Sequence, residues 1–321
     1  MRTIEIVHRT RYEYAEQVTL GEYRLMIRPR DSHDLRLLHT DLAITPAGTI
    51  RWVHDAFGNS IAIASFAEAA QVLEFVSTIR LQHFGTAPEL APIEPYAVKL
   101  PFSYPADEAP DLARYIERQY PDPDAALSLW AKEILESEGG DTFATLSRMC
   151  GAIHETFSYN QRFEPGTQPP ATTLEQRSGT CRDFALLMME GARSLGLAAR
   201  FVSGYLYDPA LDLEPGVDSA PAQPHAWMEV YLPGAGWMEF DPTNGIIGTD
   251  RLIRVAVARD SEQAMPIKGS FTGPPGACVN TVVDVQVHTL PAEPPPSVTP
   301  AAEPLIGGPV PPQAAAMQAL S

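Results

Sequence analysis

Gln176-Arg177-Ser178-Gly179-Thr180-Cys181-Arg182-Asp183-Phe184-Ala185 is the stretch whose reading decides the fold of this chain. Beyond it, Phe184, Leu187, Met188, Gly191 and Leu195 recur at helical spacing, and Gly196 follows as a stop. Thr180 and Asp183 stand three apart, the spacing of a capping box, with Thr180 as N-cap and Cys181 as the first helical residue. A thiol there sits at the positive end of a helix dipole, beside backbone N–H groups that no carbonyl of the helix satisfies. Reactive cysteines are found in such places, and the backbone offers one donor for an oxyanion. The competing reading is a small buried residue at a helix start, because free cysteine is a common core hydrophobe.

A second stretch bears on this choice. Pro224-His-Ala-Trp-Met-Glu-Val-Tyr-Leu232 alternates like a strand, with His225 at its leading end. Pro233-Gly-Ala-Gly236 is a turn, Trp237 to Asp241 the returning strand, and Pro242-Thr-Asn-Gly245 closes it. A cysteine, a histidine and an acid in that chain order are the parts of an activated thiol nucleophile. Strand side chains alternate, so Asp241 reaches His225 only in one register. Pairing Leu232 with Trp237 turns Asp241 to the wrong face; pairing Leu232 with Gly236 sets it opposite Trp227 and diagonal to His225. The odd register is therefore expected, and glycine at 236 makes such a turn cheap.

RSGTCRDFA, VSGYL, HAWMEVYLPGAGW and FDPTNG, in this order and spacing, resemble the bacterial transglutaminase-like proteins, a family of candidate cysteine proteases. The amino-terminal region is similar to the β-rich domain that precedes the core in that family. The resemblance implies an α+β chain: an all-β domain, then a papain-like core in which a cysteine-bearing helix packs on an antiparallel sheet. It makes Cys181 the nucleophile, His225 the base and acid, and Asp241 the residue that orients the histidine. A peptide or glutamine-type amide would pass through a thioester, resolved by water or by an amine. The alternative is a binding or scaffold module that keeps the fold without turnover.

Composition narrows the partners. Forty acidic against 23 basic residues in a chain of 321 give a net charge of −17, which argues against nucleic acid and anionic membranes. No run approaches the roughly 20 apolar residues of a membrane span. The first residues alternate like a strand and lack an apolar signal core, and three widely spaced cysteines suit free thiols, so cytoplasm is the expected compartment.

Residues 1–85 read as short strands of a sandwich or open barrel, and a proline-rich strap follows to about 110, so the domains expected are 1–100 and 101–290. Helical patterns cover Asp111–Gln119, Asp124–Leu135 and Thr142–Phe157. Cys150 and His154 share a face of the last one; further ligands are missing nearby, so no metal is expected and Cys150 reads as core. Neither metal nor cofactor is called for elsewhere. Residues 158–177 and 207–223 read as long loops walling a cleft, or as plain insertions. The first offers Tyr159, Gln161 and Gln176 as cleft residues and oxyanion donors. The second carries Asp208, Asp212, Glu214 and Asp218, which would favour basic peptides unless the loop is merely solvated. Trp227, a further cleft candidate, could shield or stack on His225, or be a plain core aromatic. Residues 252–258 and 278–287 read as strands completing the core sheet, Cys278 as structural, and the proline-rich tail 291–321 as unable to offset its ordering entropy.

Overall fold

The alternation at the amino terminus becomes one long strand, β1 (Arg2–Leu20), with Ile4, Ile6, His8 and Thr10 buried at every second position. The computed structural model describes residues 2–85, 92–160, 166–207, 224–248 and 251–290. After β1 come β2 (Tyr23–Arg28), β3 (Leu35–Thr45), β4 (Thr49–His54), β5 (Ser60–Ser65) and β6 (Ala70–His83). β6 lies between β1 and β3, whereas β5 lies between β2 and β4. The two sheets bury one apolar layer between them. Tyr14, Leu73 and Phe75 come from the first and Tyr23, Leu25, Ala62 and Ala64 from the second. The β-rich amino-terminal region is thus a sandwich.

The strap beyond it is held by backbone groups and a tyrosine. Glu94 N–H donates to Pro233 O at 2.8 Å. The Tyr104 hydroxyl donates to Tyr231 O at 3.0 Å and accepts from Ala198 N–H at 2.8 Å. Three helices follow, α1 (Ala109–Ile116), α2 (Ala126–Ser137) and α3 (Thr142–Thr156), within a few residues of their expected bounds. The stretch expected to be a loop holds more order than that. A two-residue strand β7 (Ser158–Tyr159) runs parallel to β8 (Ser178–Gly179), and α4 (Pro170–Gln176) lies between them. Pro169-Pro170 reads as a loop signal, yet proline is well tolerated in a helix's first turn, where its missing N–H leaves nothing unpaired.

The helix α5 (Cys181–Ser194) is the centre of the second half. Leu186, Leu187, Met188 and Met189 are all fully buried, each contributing on the order of 1.5–3 kcal/mol. Their successive positions show that the helix is covered on every side. Asp183, Glu190 and Arg193 on it are buried too, and partnered. Arg193 Nη1 donates to Glu190 Oε1 at 2.7 Å, and Glu190 also accepts from Gln119 N–H at 3.2 Å.

Against α5 stands a five-stranded antiparallel sheet. Its strands are β9 (Ala199–Leu206), β10 (Pro224–Leu232), β11 (Gly236–Asp241), β12 (Ile246–Ile247) and β13 (Leu252–Ala258), in the order β12-β11-β10-β9-β13. Ala226, Met228, Val230 and Leu232 share a core with α5, as period-two alternation requires. This is the papain-like arrangement of cysteine helix on antiparallel sheet.

The chain then returns to the sandwich. β14 (Ile267–Lys268) pairs with β2, β15 (Phe271–Thr272) with β1, and β16 (Cys278–Leu290) with β1 along almost its whole length. The strand expected at 278–287 therefore exists but joins the amino-terminal sheet rather than the core sheet. Residues 1–290 cluster as one compact unit. Ile4, Ile6, Ile79 and Leu81 of the sandwich share an apolar cluster with Tyr205 and Ile253 of the core sheet. Gln161, the acidic stretch with Asp208, Asp212, Glu214 and Asp218, and the tail 291–321 lie outside the described residues. No described helix is long and apolar enough to cross a membrane.

Candidate active site

Cys181 is the first residue of α5, with Thr180 in extended backbone as its N-cap. The carboxylate of Asp183 is fully buried and accepts from the Thr180 N–H and hydroxyl, both at 2.9 Å, and from Gln168 N–H at 2.8 Å. One side chain thus caps the helix and ties the preceding segment to it. The capping role expected of Asp183 is observed, and its reach to Gln168 is an addition.

The β10–β11 hairpin has the odd register. Leu232 pairs with Gly236, Tyr231 with Trp237 and Met228 with Phe240, so Asp241 falls one step on, beside Trp227. Gly234 and Gly236 have φ of 86° and 75°, a left-handed backbone that glycine adopts without strain. Three residues, Pro233 to Ala235, make the turn.

This register brings the imidazole and the carboxylate together. His225 Nε2–H donates to Asp241 Oδ2 at 2.7 Å. Asp241 is fully buried, and its other oxygen accepts from the N–H groups of Thr243 at 3.0 Å and Asn244 at 3.4 Å. The Asn244 amide donates to Oδ2 at 2.7 Å and stands 3.3 Å from His225 Nε2. Burial alone would raise the carboxyl's pKa, but the His225 charge and these hydrogen bonds hold it below the usual value. Burial alone would likewise lower the imidazole's; Asp241, and after it the Cys181 sulfur within hydrogen-bonding reach, push it up to about 10.

Trp227 was expected as a cleft residue, and the structure corrects this. It is fully buried, packed with Val202, Ile246 and Leu252, and its ring stacks on His225 with centroids 5.9 Å apart. A side chain with no exposed surface cannot line a cleft; it backs the imidazole instead. Gly204 makes room for it, since a Cβ there would lie 2.7 Å from the Trp227 ring and 2.1 Å from Ile253 O. Tyr159 is half-exposed in β7, near Cys181 and Asp183. Gln176 is exposed at the end of α4. Cys150 is buried in α3, where burial pushes its thiol well above the usual range. Its neighbour His154 donates from Nδ1–H to Thr243 O, 2.9 Å away, which ties α3 to the turn after Asp241. Cys278 lies in the amino-terminal sheet.

Asn244 is the residue that pattern reading missed as a partner of the site. Asn-Gly signals a turn, and that signal conceals what the side chain does; its place three residues after Asp241 was the available hint.

Comparison with known proteins gives this arrangement its family. Residues 129–242 match the transglutaminase-like superfamily core, and residues 4–82 match the bacterial transglutaminase-like N-terminal region. The chain belongs to the transglutaminase-like superfamily, with the amino-terminal region of its bacterial members. It is 28% identical to an uncharacterised protein of Mycobacterium tuberculosis, over 90% of this chain and 92% of that protein. A shorter stretch, 34% of this chain and 17% of the other, is 32% identical to a protein-glutamine gamma-glutamyltransferase of Pseudomonas aeruginosa. A candidate cysteine protease from Cytophaga hutchinsonii has the same fold, with a TM-score of 0.65 at 18% identity over 91% of this chain and 92% of that one. Family and fold together support an enzyme of cysteine-based acyl transfer or proteolysis.

Proposed function

We propose that this protein transfers the acyl group of a peptide or glutamine-type amide through a thioester on Cys181, with His225 and Asp241 completing a triad. The observation that carries the reading is the pairing of His225 with Asp241 at 2.7 Å, and it is supported by Cys181 at the start of α5, which is among the groups that push the imidazole's pKa up. In the forward step the sulfur attacks the carbonyl carbon, and the C=O electron pair moves onto oxygen. On collapse the C–N bond breaks and His225 passes its proton to the departing nitrogen. Water or an amine then attacks the thioester carbon, giving up its proton to His225, and the C–S bond breaks to return the Cys181 thiolate beside the imidazolium. Asp241 keeps the imidazole in one orientation and stabilises its charge, and Trp227 keeps water from its back. The Cys181 N–H is one oxyanion donor. The three free thiols favour a reducing compartment.

A casein-like glutamine donor with a labelled amine tests this, following ammonia and incorporated label together. Ammonia with label marks transamidation, and ammonia without it marks hydrolysis. Both should vanish in Cys181→Ala. Wild-type release by that variant would remove the proposal.

A further inference from the structure

The thioester reading leaves the oxyanion with one backbone donor, and the strand paired with the approach to Cys181 carries a phenol. Tyr159 lies in β7, opposite Gly179 of β8, two residues before Cys181. Its backbone is clamped on both sides. Ser158 N–H donates to Arg177 O at 2.8 Å, Asn160 N–H to Gly179 O at 2.9 Å, and the Asn160 amide to Ser178 Oγ at 2.5 Å. The side chain itself is 51% exposed, so the clamp holds an aromatic ring at the surface on the segment paired with the residues that lead into Cys181. Burial first, then the Cys181 sulfur and the Asp183 carboxylate, push the phenol's pKa up to about 12, which keeps its O–H a neutral donor at working pH.

Other donors among the described residues fit less well. Trp227 Nε1 is a buried donor without a hydrogen-bond partner, but its ring lies fully covered behind His225, out of a substrate's reach. The Asn160 amide is engaged by Ser178, and the Asn244 amide by Asp241. We infer that the Tyr159 hydroxyl is the second oxyanion donor, hydrogen-bonding to the carbonyl oxygen of an amide substrate as that oxygen gains charge. The phenol keeps its proton throughout; it stabilises the tetrahedral species and takes no part in proton transfer. This rests on Cys181 being the nucleophile, and the test separates the two ideas.

Tyr159→Phe removes the hydroxyl and leaves the ring. For casein and the labelled amine, kcat should fall about 10²–10³-fold, with KM little changed. Alkylation of Cys181 by iodoacetamide should proceed at the wild-type rate, because displacement of iodide builds no oxyanion. That unchanged rate also reports an intact site. Wild-type kcat in Tyr159→Phe would overturn the assignment. So would a change in alkylation in either direction, since the phenol would then act on the sulfur and not on the substrate. Turnover in Cys181→Ala, by contrast, would overturn the nucleophile reading on which it stands.

Discussion

His225 and Asp241 are 16 residues apart in the chain and 2.7 Å apart in the fold, because a three-residue turn sets β11 one step out of even register with β10. Their pairing makes stability depend on pH in a definite direction. An unfolded histidine releases its proton near pH 6.5, whereas the folded imidazole holds it to about pH 10. The folded state therefore binds the extra proton across that window. The stability this adds is fully present below about pH 6.5 and is lost as pH rises towards about 10. Asp241, whose pKa is lowered, adds stability that is lost at the acid end. Urea unfolding of wild type and His225→Gln should show a difference that shrinks from pH 6.5 to 10; a difference flat with pH would contradict the pairing.

The three thiols should react unequally. Cys150 is 1% exposed and its thiol is pushed up by burial, whereas Cys181 is part-exposed at a helix start beside His225. Limited iodoacetamide at pH 6, followed by peptide mapping, should label Cys181 well ahead of Cys150 and Cys278. Equal labelling would count against an activated thiol.

Gly204→Ala should damage the site from behind. The new methyl would lie 2.1 Å from a backbone carbonyl and 2.7 Å from the Trp227 ring, so the indole that backs His225 must move. Overpacking of this kind costs about 1–3 kcal/mol. Lower thermal stability together with lost turnover is expected; an unaltered melting temperature would show that the sheet yields freely there.

Arg254 joins sandwich to core. Its guanidinium donates to Glu229 at 3.1 Å and Glu239 at 2.9 Å in the core sheet, and to Asp34 at 3.3 Å in the segment after β2. Both glutamates are essentially unexposed; burial, then the Glu229 charge, push the Glu239 carboxyl well up. Arg254→Met should cost about 3–5 kcal/mol in urea unfolding, because it strips Glu239 and Asp34 of their arginine and leaves Glu229 with Arg200 alone. A loss below 1 kcal/mol would mean that water or a neighbour replaces the arginine without effort.

Much of this was legible in the chain, for reasons that differ by residue. Thr180, Cys181 and Asp183 could be placed because a capping box is a local device, complete within four positions. The register of Asp241 could be placed because strand parity and one glycine decide it. What escaped was decided by partners distant in sequence. The alternation in 278–290 shows a strand but not which sheet takes it, and β1 does. Parity sets Trp227 beside His225 but cannot say what covers it; Val202, Ile246 and Leu252 do. Pro169-Pro170 signals equally the end of a loop and the first turn of α4.

The account turns on an acyl group carried by Cys181. An activated p-nitrophenyl ester, quenched in acid during turnover and mapped by mass spectrometry, should leave its acyl group on the peptide containing Cys181, labile to hydroxylamine as a thioester is. Acyl groups found only on other residues, or steady turnover by Cys181→Ala, would contradict it.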